Sequence, residues 1–233
     1  SAEQNPAHEY TKAGTYTVSL QVAGPGGRDS AELADTVTVK PGPLAQLKAE
    51  QETVELAVTQ ELRIPAAALD KFGNEKQGTH ITWSVLSGEA GSMERNIFMA
   101  GTKAGSYPSA IRVEATEGNT VLEALIDVAV SPGPLAIVKI VPQELVVRVG
   151  EKQQASFQAF DEFGNELNTE RLQAAWELRE RIGVLEASGR FTAATRAGNA
   201  PDALHVQVTQ GSIVQETSAT IIILPGPLAT LSI

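Results

Sequence analysis

Asp70-Lys71-Phe72-Gly73-Asn74-Glu75 returns 91 residues later as Asp161-Glu162-Phe163-Gly164-Asn165-Glu166. The recurrence extends in both directions. Upstream, Pro-Gly-Pro-Leu stands at Pro41–Leu44, Pro132–Leu135 and Pro225–Leu228. Downstream, Trp83 returns as Trp176, and Phe98-Met99-Ala100-Gly101-Thr102-Lys103-Ala104-Gly105 as Phe191-Thr192-Ala193-Ala194-Thr195-Arg196-Ala197-Gly198. A period of about 90 residues is the size of one small domain. The chain is a tandem array, and every local reading has to agree between copies.

Between these landmarks the pattern is that of strands. Thr15–Val22 alternates polar and apolar residues, as a half-buried strand does, and so does Ala34–Val39. Gly24-Pro25-Gly26-Gly27 separates them as a turn. Each repeat gives about seven short strands: Ala45–Ala49 or Ala136–Val141, Val54–Val58 or Leu145–Val149, Leu62–Leu69 or Gln154–Phe160, the Trp strand, a strand-turn-strand around Phe98 or Phe191, and a closing pair, Ala110–Thr116 with Val121–Val130 or Ala203–Thr209 with Ile213–Leu224. Two stretches, Gln46–Gln60 and Thr169–Arg181, are rich in helix formers. The first aligns with the β-branched Ile137–Val149 and the second with His80–Val85, so both are read as β, with room for a short helical turn at Thr169–Leu172. Seven strands per 90 residues, punctuated by turns, predict an all-β chain of immunoglobulin-like antiparallel sandwiches arranged end to end. Trp83 and Trp176 are expected in the cores.

Composition narrows the function. The chain of 233 residues carries a net charge of −10, with 42% hydrophobic and 5% aromatic residues. An acidic surface repels phosphate backbones and anionic lipid headgroups, which argues against nucleic-acid and membrane partners. There is no cysteine, hence neither a disulfide framework nor thiolate chemistry. No run of about 18 apolar residues is present to span a bilayer.

Catalytic patterns are missing as well. His8, His80 and His205 fall in different units and make no zinc-ligand spacing. His80 and His205 are expected at strand surfaces or edges. No nucleophile elbow and no phosphate loop occurs. The expectation is no catalytic, cofactor-binding or metal residue, and no enzyme. The turns Asp70–Asn74 and Asp161–Asn165 have two readings. Asp and Asn cap turns through the backbone, Gly supplies a positive φ, and the intervening Phe can anchor the turn on the sandwich end. The same oxygen atoms also fit calcium.

His8-Glu9-Tyr10, Ala13-Gly14-Thr15-Tyr16-Thr17-Val18 and Thr36-Val37-Thr38-Val39 resemble the C-terminal half of a PKD domain. The Asp-x-Phe-Gly-Asn turn, the Trp strand and the Phe-x-Ala-x-Thr-x-Ala-Gly stretch resemble bacterial Ig-like domains of the invasin/intimin type. The expected organisation is a PKD-like tail over residues 1–40, Ig-like domains over 41–131 and 132–224, and the start of a further repeat over 225–233. The resemblance implies an extracellular or cell-surface location, in an excerpt from a longer polypeptide. The expected role is a structural stalk or fibre. The alternatives are an adhesin segment that binds a glycan or protein receptor, or an accessory region of a secreted hydrolase. The expected partners are neighbouring domains of the same polypeptide, with head-to-tail self-assembly by strand addition as a further option. Pro-Gly-Pro-Leu stiffens each junction, with Leu44, Leu135 and Leu228 expected to plug a neighbouring sandwich.

Overall fold

The computed structural model of the chain describes residues 7–227. Leu228 and the expected strand at 229–233 lie outside them. The chain divides into two compact units. One holds the residues up to 101 together with 105–130, and the other holds 102–104 and all residues from 131 onward. Both are built of strands, with one turn of 3-10 helix, Thr169–Arg171, in the second.

The first unit opens with a two-stranded ribbon, β1 (Gly14–Gly24) and β2 (Gly27–Val39), closed by a tight turn at the Gly24↔Gly27 pair. Nine strands follow: β3 (Gln46–Ala49), β4 (Thr53–Ala57), β5 (Glu61–Arg63), β6 (Ala66–Leu69), β7 (His80–Val85), β8 (Gly91–Glu94), β9 (Ile97–Ala100), β10 (Gly105–Glu117) and β11 (Thr120–Ser131). They pair as a four-stranded sheet, β4-β11-β10-β7, opposite the smaller sheets β5-β9-β8 and β3-β6. The second unit repeats this with β12 (Ile137–Val141), β13 (Glu144–Arg148), β14 (Lys152–Gln154), β15 (Ser156–Phe160), β16 (Gln173–Leu178), β17 (Gly183–Leu185), β18 (Arg190–Ala193), β19 (Gly198–Gln210) and β20 (Ile213–Leu224). Its sheets are β13-β20-β19-β16, β14-β18-β17 and β12-β15. These are all-β, immunoglobulin-like sandwiches. Both helix-prone stretches are strand, and the short helical turn sits where the longer second repeat leaves room for it.

Two details differ from the expected pattern. A parallel pair occurs in the larger sheet: β13 runs beside β20 from Glu144↔Thr220 to Arg148↔Leu224. The third expected strand is also broken in both copies. In the first unit Ile64-Pro65 interrupts it. Ile64 turns fully inward, its N–H donates to Asn96 O at 2.7 Å, and Pro65 has no N–H to continue a ladder. One half of the strand then pairs with β9 and the other with β3, so the same segment serves two small sheets.

Alternation puts one face of each closing hairpin into the core. Ile111, Val113, Ile126 and Val128 in the first unit, and Leu204, Val206, Val208 and Ile221 in the second, are buried. The largest fully buried side chains are Phe98 and Phe191, both with no exposed surface. Trp83 and Trp176, expected in this place, are only half-buried and pack against the core from its side. An indole carries a polar N–H that has to be served wherever it is buried. The Nε1 of Trp83 is itself buried without a partner, an energetic cost that a phenyl ring in the same core does not carry. Leu44 and Leu135 are buried in the sandwich that each leads into, with Ala68 and Ala115 in the first unit and with the main core in the second. This replaces the expectation that they plug a neighbour.

Three hairpins share a starting register. Gly14↔Val39, Thr15↔Thr38 and Tyr16↔Val37 match Gly105↔Val130, Ser106↔Ala129 and Tyr107↔Val128, and also Gly198↔Ile223, Asn199↔Ile222 and Ala200↔Ile221. An irregularity follows in all three. The extra residues lie in the second strand of the ribbon but in the first strand of both sandwich hairpins.

Candidate functional site: a buried aspartate that ties down the linker

The Asp-x-Phe-Gly-Asn turn is the element that both units share most closely, and its geometry explains why. Asp70 and Asp161 are buried, although a carboxylate is among the most costly groups to remove from water. Each is matched by four donors. Asp161 Oδ1 accepts from Phe163 N–H at 2.9 Å and Asn165 N–H at 2.8 Å. Its Oδ2 accepts from Asn165 Nδ2 and Gly133 N–H, both at 2.8 Å. Asp70 makes the same set with Phe72, Asn74 and Gly42, at 2.8–3.0 Å. Gly73 and Gly164 close the turns at φ 82° and 86°, a conformation that favours glycine. Gly42 and Gly133 are the glycines of Pro-Gly-Pro-Leu. The carboxylate therefore holds the linker against the turn.

The asparagine extends the tie. Asn165 Oδ1 accepts from Ala104 N–H at 2.8 Å, and its Nδ2 donates to Thr102 O at 2.8 Å as well as to Asp161. In the first unit Asn74 does the same with Ala13 N–H and Thr11 O, at 2.8 and 2.9 Å. One amide acceptor and two amide donors are all used. Thr11-Lys12-Ala13-Gly14 and Thr102-Lys103-Ala104-Gly105 are thus two copies of one receiving loop.

Around this shared centre the two units differ in a coupled way. In the first, Glu117 Oε2 accepts from Leu44 N–H at 2.6 Å while Oε1 pairs with Lys76 at 2.9 Å, and Lys76 also donates to Gly42 O. In the second, Gln210 Oε1 accepts from Leu135 N–H at 2.7 Å, and a buried Leu167 stands in place of the lysine. Cation and anion are exchanged together, and the acceptor for the leucine N–H is kept. A lysine removed alone would leave the Glu117 carboxylate without its cation.

Burial by itself pushes the carboxyls of Asp70 and Asp161 upward. The asparagine side chain and the three backbone N–H groups outweigh it and hold both well below the usual 3.8. Glu117 is lowered chiefly by its hydrogen bond from Lys76, then by the one from Leu44. A folded-state pKa below the unfolded value means that the ionised form is the one the fold prefers. The stabilisation is complete above about pH 5 and is lost as pH falls through the folded values. Urea midpoints should therefore be level between about pH 5 and 7 and decline steadily below about pH 4. In Asp161→Asn the decline of the second unit should become shallower.

The other residues singled out in sequence fall elsewhere. His80 is exposed on β7, and His8 meets Tyr10 edge-to-face with ring centres 4.5 Å apart. His205 is buried, contrary to the surface position expected for it. Glu177 and Glu216 on the neighbouring strands cover it, at 4.0 and 3.4 Å, in the position that Arg112 holds beside Glu123 in the first unit. Phe72 and Phe163 are exposed, so the carboxylate, and not the phenyl ring, anchors the turn. Among the described residues no group of three or more His, Asp or Glu is arranged to hold a metal ion, and no helix is long and apolar enough to cross a membrane.

No family model and no curated protein sequence matches the chain. Solved structures of similar fold include surface layer protein SbsC, domains 1–6, at 14% identity and a TM-score of 0.37, covering 93% of this chain and 36% of that one. The Escherichia coli adhesin FdeC follows at 16% and 0.49, covering 91% and 75%. Human protocadherin-24 EC1-2 stands at 7% and 0.45, covering 79% and 100%. The chain thus spans about a third of the SbsC structure.

Proposed function

We propose that this chain is a non-catalytic structural segment of a large extracellular or cell-surface polypeptide, a stalk or fibre of Ig-like units of the bacterial invasin/intimin type. The observation that carries the reading is the buried aspartate of each unit, satisfied by four donors, one of them from the linker glycine. A repeated, costly and fully satisfied polar group aimed at a linker serves to restrain that linker. Pro-Gly-Pro-Leu adds stiffness of its own, because each proline fixes φ. Replacing Pro132 and Pro134 by Gly frees the backbone. Small-angle scattering should then report a broader distribution of dimensions than for the unaltered chain. Identical scattering curves would count against the stiffening role.

The reading takes the turn as a hydrogen-bonded device and not as a calcium site. Each carboxylate has about four acceptor positions, and four donors occupy them. Millimolar calcium should leave the melting temperature unchanged. A sharp rise that disappears in Asp161→Ala would reverse the assignment.

Residues 1–40 are, in this reading, the C-terminal part of a further, PKD-like sandwich, with β1 and β2 as its closing hairpin. The ribbon has one apolar face, on which Val18, Leu20, Val22 and Leu33 are exposed. The matching faces of the other two hairpins are core.

A further inference from the structure

We infer that the loop Thr195-Arg196-Ala197-Gly198 is a docking site for the Asp-x-Phe-Gly-Asn turn of one more Ig-like unit, an inference that rests on the linker-restraint reading above. The loop is the third copy of a sequence whose first two copies, at Thr11 and Thr102, each hold such a turn. It also precedes a hairpin of the same starting register. In the first two copies the alanine is half-buried under the asparagine, whereas Ala197 is exposed. Among the described residues nothing donates to Thr195 O or accepts from Ala197 N–H. These are the two main-chain groups that an asparagine side chain bridges in the other copies. Gly226, on the linker that follows, corresponds to Gly42 and Gly133, which donate to the turn aspartate.

The surroundings favour an acidic occupant. A cleft of about 340 Å³ adjoins the loop, lined by Arg181, Arg196, Ala197, Gly198, Glu180 and Ile182. Two guanidinium groups against one carboxylate match a turn such as Asp161-Glu162-Phe163-Gly164-Asn165-Glu166. A second copy of this chain is a poor source, because its own Asp70 and Asp161 turns are already engaged and their aspartates buried. The occupant is therefore the turn of a unit read on from Pro225-Gly226-Pro227-Leu228.

The test is a longer chain in which residues 132–224 are repeated directly after Leu224, followed by hydrogen exchange resolved to single amides. Ala197 should slow by about tenfold or more, toward the rate of Ala104. Asn165→Ala in the added copy alone should return it to the fast rate. Slow exchange in the added copy's β16 shows that this copy is folded. If it is not, a second fusion that carries residues 41–131 in the same place makes the same demand through Asn74. An Ala197 rate unchanged beside a folded added unit, or slowed equally in the substituted one, overturns the inference. Protection of Ala104 in the unextended chain, lost in Asn165→Ala, tests the restraint itself. If that protection is present and Ala197 still fails to slow, the docking inference alone falls. Concentration-dependent protection of Ala197 in the unextended chain, with a dimer in sedimentation, would overturn the choice of occupant.

Discussion

Asp161→Ala should destabilise the second unit by about 3 kcal/mol or more. The substitution deletes one side chain but strands four donors. Gly133, Phe163 and Asn165 lose the acceptor of their backbone N–H groups, and Asn165 Nδ2 loses one of its two. A buried donor without an acceptor costs about 1–3 kcal/mol, while local relaxation and water entry recover part of the sum. For a domain of this size the melting temperature should fall by about 10 °C or more. Asp161→Asn is the sharper experiment. It is nearly isosteric, yet its NH2 would face either the Gly133 N–H and Asn165 Nδ2 or the two turn N–H groups. Donor against donor cannot be relieved by flipping the amide. We expect it to lose most of what Asp161→Ala loses. A melting temperature within 2–3 °C of the unaltered chain, on the order of 0.5 kcal/mol, would show that the carboxylate is not what holds the turn.

Phe98→Ala and Phe191→Ala should each cost about 3–5 kcal/mol. Both rings are fully buried and lie at the centre of their cores. Neighbouring backbone fixes their shape. A methyl group added to Gly183 would come within 2.6 Å of the Phe191 ring, and one added to Gly91 within 2.8 Å of Phe98, so strand backbone already lies against each ring and collapse into the space left behind is limited. The comparison that decides the matter is with the tryptophans. Trp176→Phe keeps an aromatic ring at a half-buried position and should cost less than half as much as Phe191→Ala. Urea unfolding with a constant m-value checks both. A larger effect at Trp176 than at Phe191 would show that the tryptophan contributes more to the core than the phenylalanine does.

The sequence made the fold legible because it stated it twice. Thr169–Arg181 taken alone is a helix by propensity, and only its alignment with His80–Val85 overrules that. Repetition cannot reveal what both copies share without announcing it. Tryptophan is expected in each core; it packs against the core half-buried, and phenylalanine is the fully buried ring. Hydrophobicity ranks the two rings alike, so the alternating pattern does not say which of them is fully enclosed. His205 looked like a surface residue because its cover, Glu177 and Glu216, comes from other strands. The candidate site was half legible. The bonds that Asp70 accepts from the Phe72 and Asn74 N–H groups are local, two and four residues away, and turn chemistry predicts them. The bonds to Gly42 and from Asn74 to Thr11 span 28 and 63 residues and belong to no local motif. A signal for them was present in the chain: Thr11-Lys12-Ala13-Gly14 spells the same loop as Thr102-Lys103-Ala104-Gly105.

The asparagine reads its loop through a main-chain carbonyl and a main-chain N–H, and through no side chain of that loop. The residues that do have to match each other, Lys76 with Glu117 or Leu167 with Gln210, sit within a single sandwich. The asparagine contact is therefore generic in sequence, and the Lys76–Glu117 and Leu167–Gln210 pairs are particular to each unit. A loop recognised only through its backbone tolerates side-chain change at every one of its positions without loss of the contact.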